Sequence, residues 1–189
     1  LRELALHILD IAENSISAGA SRIRISVNEN LKDDLLEIVI DDNGKGMDAE
    51  TLTRITDPFV TSRTTRKVGL GLPFFKAAAE ACDGSLNIES KLDVGTKVTV
   101  VFKHSHIDRM PLGDLCGTLL TLLIGTPDIH WLFEYRINQE AFIFDDEPIK
   151  ATLEGVSLSE PAVMKVLREM IRDGITIARQ RAAQAVEHR

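Results

Sequence analysis

Leu36-Glu37-Ile38-Val39-Ile40 runs without a break into Asp41-Asp42-Asn43-Gly44-Lys45-Gly46-Met47. The first five residues have the apolar density of a core strand. The next seven replace that character with two carboxylates, a carboxamide and two glycines. Gly44 and Gly46 let the backbone turn and approach a ligand closely, while Asp42 leaves the strand end pointing into the same space. A buried carboxylate there suits an exocyclic amine such as that of adenine. Taken alone, the segment reads more readily as a plain glycine turn between a strand and a helix. What surrounds it decides between the two.

Upstream, residues 1–17 carry Leu1, Leu4, Ala5, Ile8, Ile11 and Ala12 on one face of a helix, and Gly19 ends it. His7, Asp10, Asn14 and Ser17 form its polar stripe. Asp10 and Asn14 are four apart and point the same way, so a carboxylate one turn from a carboxamide can hold a magnesium ion and orient a water. By itself this stripe is also an ordinary solvated helix face. Ile23, Ile25 and Val27 alternate with polar residues over Arg22–Val27, a half-buried strand, and Asn28–Asp34 follows as a polar turn.

Downstream, Asp48 caps a short helix to Arg54, residues 57–69 lack periodicity and read as a loop, and Leu72–Cys82 reads as a helix. Pro73 falls in its first turn, where a missing N–H costs little. Val68-Gly69-Leu70-Gly71-Leu72-Pro73 therefore places two glycines just ahead of a helix N-terminus, whose free N–H groups and dipole suit phosphate. Arg63, Arg66 and Lys67 add local positive charge. The segment is not a Walker loop, and Phe74 stands where a dinucleotide fingerprint needs its third glycine. Two strands follow, Ser85–Ser90 and Thr96–Phe102, the second entered through Gly95-Thr96. Strand pairs of hairpin kind, rather than wound βαβ units, predict an α/β fold of the α+β two-layer sandwich type.

The chain has 189 residues with 22 Lys+Arg against 29 Asp+Glu, a net charge of −7. That balance argues against a nucleic-acid binder driven by phosphate neutralisation. No apolar run approaches the roughly 18 residues of a membrane span. Two cysteines, Cys82 and Cys116, exclude a disulfide scaffold and a cysteine zinc site. A reducing, cytoplasmic setting is expected, and a chain opening at Leu1 rather than Met implies a segment upstream. Beyond His104 the pattern is a helix over Leu112–Ile124, strands over Trp131–Ile137 and Ala141–Phe144, and a short helix near Glu147–Leu153. A long helix then follows a Ser159 cap, with Pro161 near its first position, to about Ala185, with Val163, Leu167, Met170, Ile171, Ile175 and Ala178 on its apolar side. His104 and His106, two apart near a strand end, read as a polar linker rather than a metal site, and His7 as a packing residue.

Four motifs in this order resemble the Bergerat-fold (GHKL) ATPase superfamily, which contains the ATPase domains of gyrase, heat-shock chaperones, histidine kinases and MutL proteins. The stretch Glu13–Ile23 is similar to the MutL mismatch-repair ATPases. Asp57-Pro58-Phe59-Val60-Thr61-Ser62-Arg63, followed by Val68–Leu72, is similar to histidine kinases and anti-sigma-factor kinases. The resemblance implies a Bergerat ATP-binding domain over 1–103 and a small mixed α/β C-terminal appendage over 104–189. That second part resembles, in Thr126–His130 and Phe144–Ile149 among others, small ATP-binding proteins encoded near iron-only hydrogenase genes.

The resemblance also implies roles. Asn14 would bind Mg, and Asp42 would read the adenine amine, with Gly44, Gly46 and Met47 shaping the pocket and Thr96 beside the contact. Gly69, Leu70, Gly71 and Leu72 would admit the triphosphate, and Arg63 takes the place of a basic residue near it. Hydrolysing relatives carry a glutamate general base four residues before the magnesium asparagine. Asp10 stands there instead, one methylene shorter. The lid from Pro58 to Val68 is short. His7 is the sole histidine ahead of the site and lies within it, so self-phosphorylation on a histidine is not expected. Two readings follow: an Mg-dependent ATP-binding regulatory protein kinase or slow ATPase acting on a partner protein, or a nucleotide-gated interaction module that binds ATP or ADP without turnover.

Overall fold

A computed structural model describes residues 3–56 and 71–187. The element order is α1 (Leu4–Ser17), β1 (Arg22–Asn30), β2 (Leu35–Asp42), α2 (Ala49–Thr56), α3 (Gly71–Glu80), β3 (Ser85–Lys91) and β4 (Gly95–Lys103). There follow α4 (Leu115–Gly125), β5 (His130–Ile137), β6 (Glu140–Asp145), α5 (Asp146–Thr152) and α6 (Pro161–Glu187). The six strands form one sheet in the order β3-β4-β2-β1-β5-β6. All neighbours are antiparallel except β1 and β5, which run parallel with Ile23 beside Trp131 and Val27 beside Tyr135. The fold is the expected two-layer α/β sandwich. Residues 104–189 supply β5 and β6, which extend the sheet of β1–β4.

Alternation with period two sends every second strand residue to the helix side. Ile23, Ile25 and Val27 of β1 face it with Leu36, Ile38 and Ile40 of β2, Val98, Val100 and Phe102 of β4, and Trp131, Phe133 and Tyr135 of β5, all buried. Helices α3, α1, α4 and α6 lie side by side over this face, α3 against β3 and β4 and α6 against β5 and β6. Gly174 lets α6 approach closely, because a Cβ there would sit 2.2 Å from the Phe142 ring.

The clearest departures from the sequence reading are at the end of β1, the start of α4 and the cap of α6. Strand β1 continues to Asn30, paired with Leu35, so the Asn28–Asp34 turn shrinks to Leu31–Asp34 and ends on Asp34 at φ 57°. Helix α4 starts at Leu115 behind an Asp114 cap, whose carboxylate accepts from Gly117 N at 2.8 Å. Pro111 and Leu112 stay extended instead, and their carbonyls accept the free Leu4 and Ala5 N–H groups of α1 at 2.9 Å each. Ser159 turns its hydroxyl to Ser157 at 2.7 Å instead of capping α6, which begins at Pro161 as read.

Candidate nucleotide site

The carboxyl end of β2 and the amino ends of β4 and α3 meet beside α1. Asp42, the last residue of β2, lies on the helix face and is only 9% exposed. Its Oδ2 accepts from the Ser15 hydroxyl at 2.5 Å and its Oδ1 from the Gly44 N–H at 2.9 Å. Each oxygen takes one neutral donor and keeps a spare lone pair.

Directly opposite Asp42 across the β2–β4 ladder stands Thr96. Its hydroxyl lies 2.8 Å from Ser90 Oγ, which also accepts from Met47 N at 2.9 Å and donates to the Gly95 carbonyl at 3.1 Å. With the Ser90 proton committed to that carbonyl, Thr96 is the donor in the hydroxyl pair and its own lone pairs stay available. Ser90 thereby ties the glycine turn to β4. Asp42, Ser90, Gly95 and Thr96 also border an open cleft of about 350 Å³ at the strand ends.

Two glycines here are required by geometry. Gly46 has φ 62°, and a Cβ on it would stand 1.9 Å from the Lys91 carbonyl oxygen; Gly95 has φ 139°, and a Cβ would stand 1.9 Å from that of Asp42. A third close approach joins the two helices. A Cβ on Gly71, the first residue of α3, would lie 2.8 Å from Asp10 Cβ and 3.2 Å from its Oδ2. Asp10 is thus held against the amino end of α3, the pole that favours negative charge. Asp10 is exposed and Asn14 half-buried on the same side of α1. Among the described residues no hydrogen bond engages either side chain. Leu72 is buried beneath them in the core.

The fold therefore brings Asp10, Asn14, Asp42, Gly44, Gly46, Met47, Gly71, Leu72 and Thr96 to one end of the molecule. Arg63, Gly69 and Leu70, with the lid, lie outside the described residues. Ser15 and Ser90 were not anticipated. Ser15 follows Asn14 directly, and Ser90 pairs with Thr96 across β3 and β4, so adjacency to the motif and strand register were the available signals. His7 is 7% exposed and stacks on Phe75, ring centroids 5.0 Å apart. His104 and His106 take different partners, Glu29 at 2.7 Å and Asp83 at 3.9 Å, and share no cation position. Burial pushes the thiols of Cys82 and Cys116 up, away from the reactive thiolate; Cys116 is half-buried rather than buried.

Residues 1–106 match the family described as histidine kinase-, DNA gyrase B-, and HSP90-like ATPase. The chain belongs to this family. Within it, a putative NtrY-like sensor histidine kinase of Rickettsia typhi is 31% identical over 109 residues, and the sensor protein kinase FleS of Pseudomonas aeruginosa is 39% identical over 94. These matches cover 57% and 50% of this chain but only 18% and 23% of the relatives, so it spans about a fifth of their length. Among solved structures, the N-terminal domain of a DNA repair protein superposes with a TM-score of 0.54 at 16% identity, covering 76% of this chain and 52% of that one. At that identity the likeness speaks to fold alone. No helix of the described residues is long and apolar enough to cross a membrane.

Proposed function

We propose that the chain binds ATP with magnesium and acts as a regulatory protein kinase or slow ATPase on a partner protein, in the cytoplasm. The observation that carries the phosphoryl-transfer part is the contact between Asp10 and Gly71. It sets a carboxylate free of described hydrogen bonds beside the helix end that suits phosphate.

In this reading Asp42 accepts from the adenine amine, and Gly46 and Gly95 keep the floor of the base pocket free of side chains. The N–H groups at the start of α3 receive phosphate oxygens, helped by Arg63. The Asn14 carboxamide oxygen is the protein's ligand to magnesium, which when bound neutralises charge on the phosphates. Asp10 takes a proton from a water or from a protein hydroxyl in this reading. The fit is chemical: a charged acceptor for the amine, open backbone for the base, a helix pole for the anion, and a hard oxygen for the metal.

One observation favours a nucleotide-gated module without turnover instead. Aspartate replaces the longer glutamate of hydrolysing relatives, so its reach to a reacting water is shorter. Calorimetry with ATP and with ADP in magnesium, followed by phosphate assay of the same sample, separates the readings. The ATPase releases phosphate, and Asp10→Asn slows that release by about 100-fold while nucleotide affinity stays within about threefold. The kinase moves labelled γ-phosphate to a protein of the native extract. Binding with neither outcome leaves the module, and no binding of either nucleotide ends both readings.

A further inference from the structure

Two stretches that the nucleotide site does not use, Thr126–His130 and Phe144–Ile149, meet at the β5–β6 hairpin. His130 opens β5, Asp145 closes β6 and caps α5, and Asp146 opens α5. His130 Nε2 lies 2.9 Å from Asp145 Oδ1. One ligand atom from each of His130, Asp145 and Asp146 can be chosen so that all lie within 4.8 Å of one another.

Asp146 is 1% exposed, an unusual place for a carboxylate. Its Oδ1 accepts from Trp131 N at 2.9 Å. Its Oδ2 is paired with the Lys150 ammonium at 2.6 Å. The same ammonium, which has three N–H donors, also donates to the Ile129 carbonyl at 2.6 Å. A carboxylate this deeply buried needs a cation beside it. Here a cation already lies against it, and an imidazole and a second carboxylate are within reach.

The geometry points to a divalent transition-metal site formed by His130, Asp145 and Asp146, with Zn²⁺ as the ion and Lys150 as an internal cation that competes for the position. One imidazole with two carboxylates suits zinc, whereas magnesium and calcium take oxygen ligands alone. The His130 and Asp145 side chains are 24% and 39% exposed, which leaves an entry path and room for a water as fourth ligand. Lys150 is 25% exposed on a long flexible stem and can swing to solvent when the ion enters. The bound ion ties the start of β5, the end of β6 and the start of α5 together, at the corner where His130 lies beside Arg22 of β1.

The test is a Zn²⁺ titration of the full chain without nucleotide, by calorimetry, with Co²⁺ absorption as second readout. One ion per chain is expected, with binding lost in His130→Gln and Asp145→Asn and kept in His104→Gln and His106→Gln. Lys150→Met, which removes the competing charge, binds about tenfold tighter. Uptake that survives His130→Gln, or no uptake by the wild type, overturns the site. Equal or weaker binding by a folded Lys150→Met overturns the assignment of Lys150 as competitor. If Lys150→Met does not fold, the Co²⁺ spectra of wild type and His130→Gln decide alone: a visible band present in the first and absent in the second supports the site, and any other pattern overturns it.

Discussion

The β1–β2 ladder carries a buried acid on its helix face at each end. Asp42 stands opposite Ile23 at one end, and Glu29 opposite Leu36 at the other. They are about equally buried, at 9% and 8% exposed, yet their surroundings differ. Asp42 has a serine hydroxyl, a backbone N–H, glycines and an open cleft. Glu29 accepts from the Tyr135 hydroxyl on one oxygen and pairs with His104 on the other at 2.7 Å. Arg179 of α6 lies 3.7 Å from Glu29 and donates to the Tyr135 oxygen at 2.7 Å. Burial, with the Glu29 hydrogen bond next, pushes the Tyr135 phenol well above its ordinary range, so it remains a neutral donor. The lesson is chemical: a buried acid that keeps spare lone pairs beside a cleft can take a further donor, whereas one saturated by three elements is a pin. Glu29 fastens α6 and β5 to β1 and to the turn after β4.

Four substitutions can break or sharpen that contrast. Asp42→Ala is expected to weaken ATP binding by about 100-fold or more with cooperative unfolding retained. Calorimetry beside a thermal melt checks both halves, and unchanged affinity would erase the distinction between the acids. Glu29→Ala should do the reverse, costing about 2–4 kcal/mol of stability in urea denaturation while ATP affinity stays within about twofold. Gly46→Ala probes the recognition end through backbone alone. With a positive φ and a carbonyl in the way, it should lower stability by about 1–3 kcal/mol and weaken nucleotide binding in the same titration.

The smallest effect belongs to an acid on the uncovered face of the sheet. Hydrogen bonds from Arg136 and Arg24, at 2.5 and 2.6 Å, hold the Glu134 carboxyl below its ordinary range. A lowered folded pKa adds stability above the ordinary glutamate range, and that stability is lost as pH falls through the lowered value. Glu134→Gln should therefore cost under about 1 kcal/mol at pH 7, and its melting curve should converge with that of the wild type in acid. A gap that persists in acid would mean that the glutamine disturbs packing rather than charge.

Much of this was legible in one dimension because it depends on neighbours along the chain. The period-two runs Arg22–Val27 and Leu36–Ile40 and the period-3.6 face of residues 1–17 each report which side of an element is buried. Most of the site residues sit at strand or helix ends where glycine marks a turn, so Asp42, Gly46 and Gly71 could be named without a structure. The hydrogen bonds that position them could not. Ser15 reaches Asp42 across 27 residues of chain, and Ser90 is recognised only once β3 and β4 are in register.

By itself, then, the sequence determined the elements, the helix-facing side of each strand and the family of the chain, because local periodicity and turn chemistry encode them. Tertiary structure alone decided that β5 lies parallel to β1 and extends the sheet, that Glu29 is saturated by three elements while Asp42 keeps spare lone pairs, and that His130, Asp145 and Asp146 share a corner. Those outcomes depend on which strand pairs with which. Pairing is settled by the burial of whole faces against one another, and no single segment carries that information.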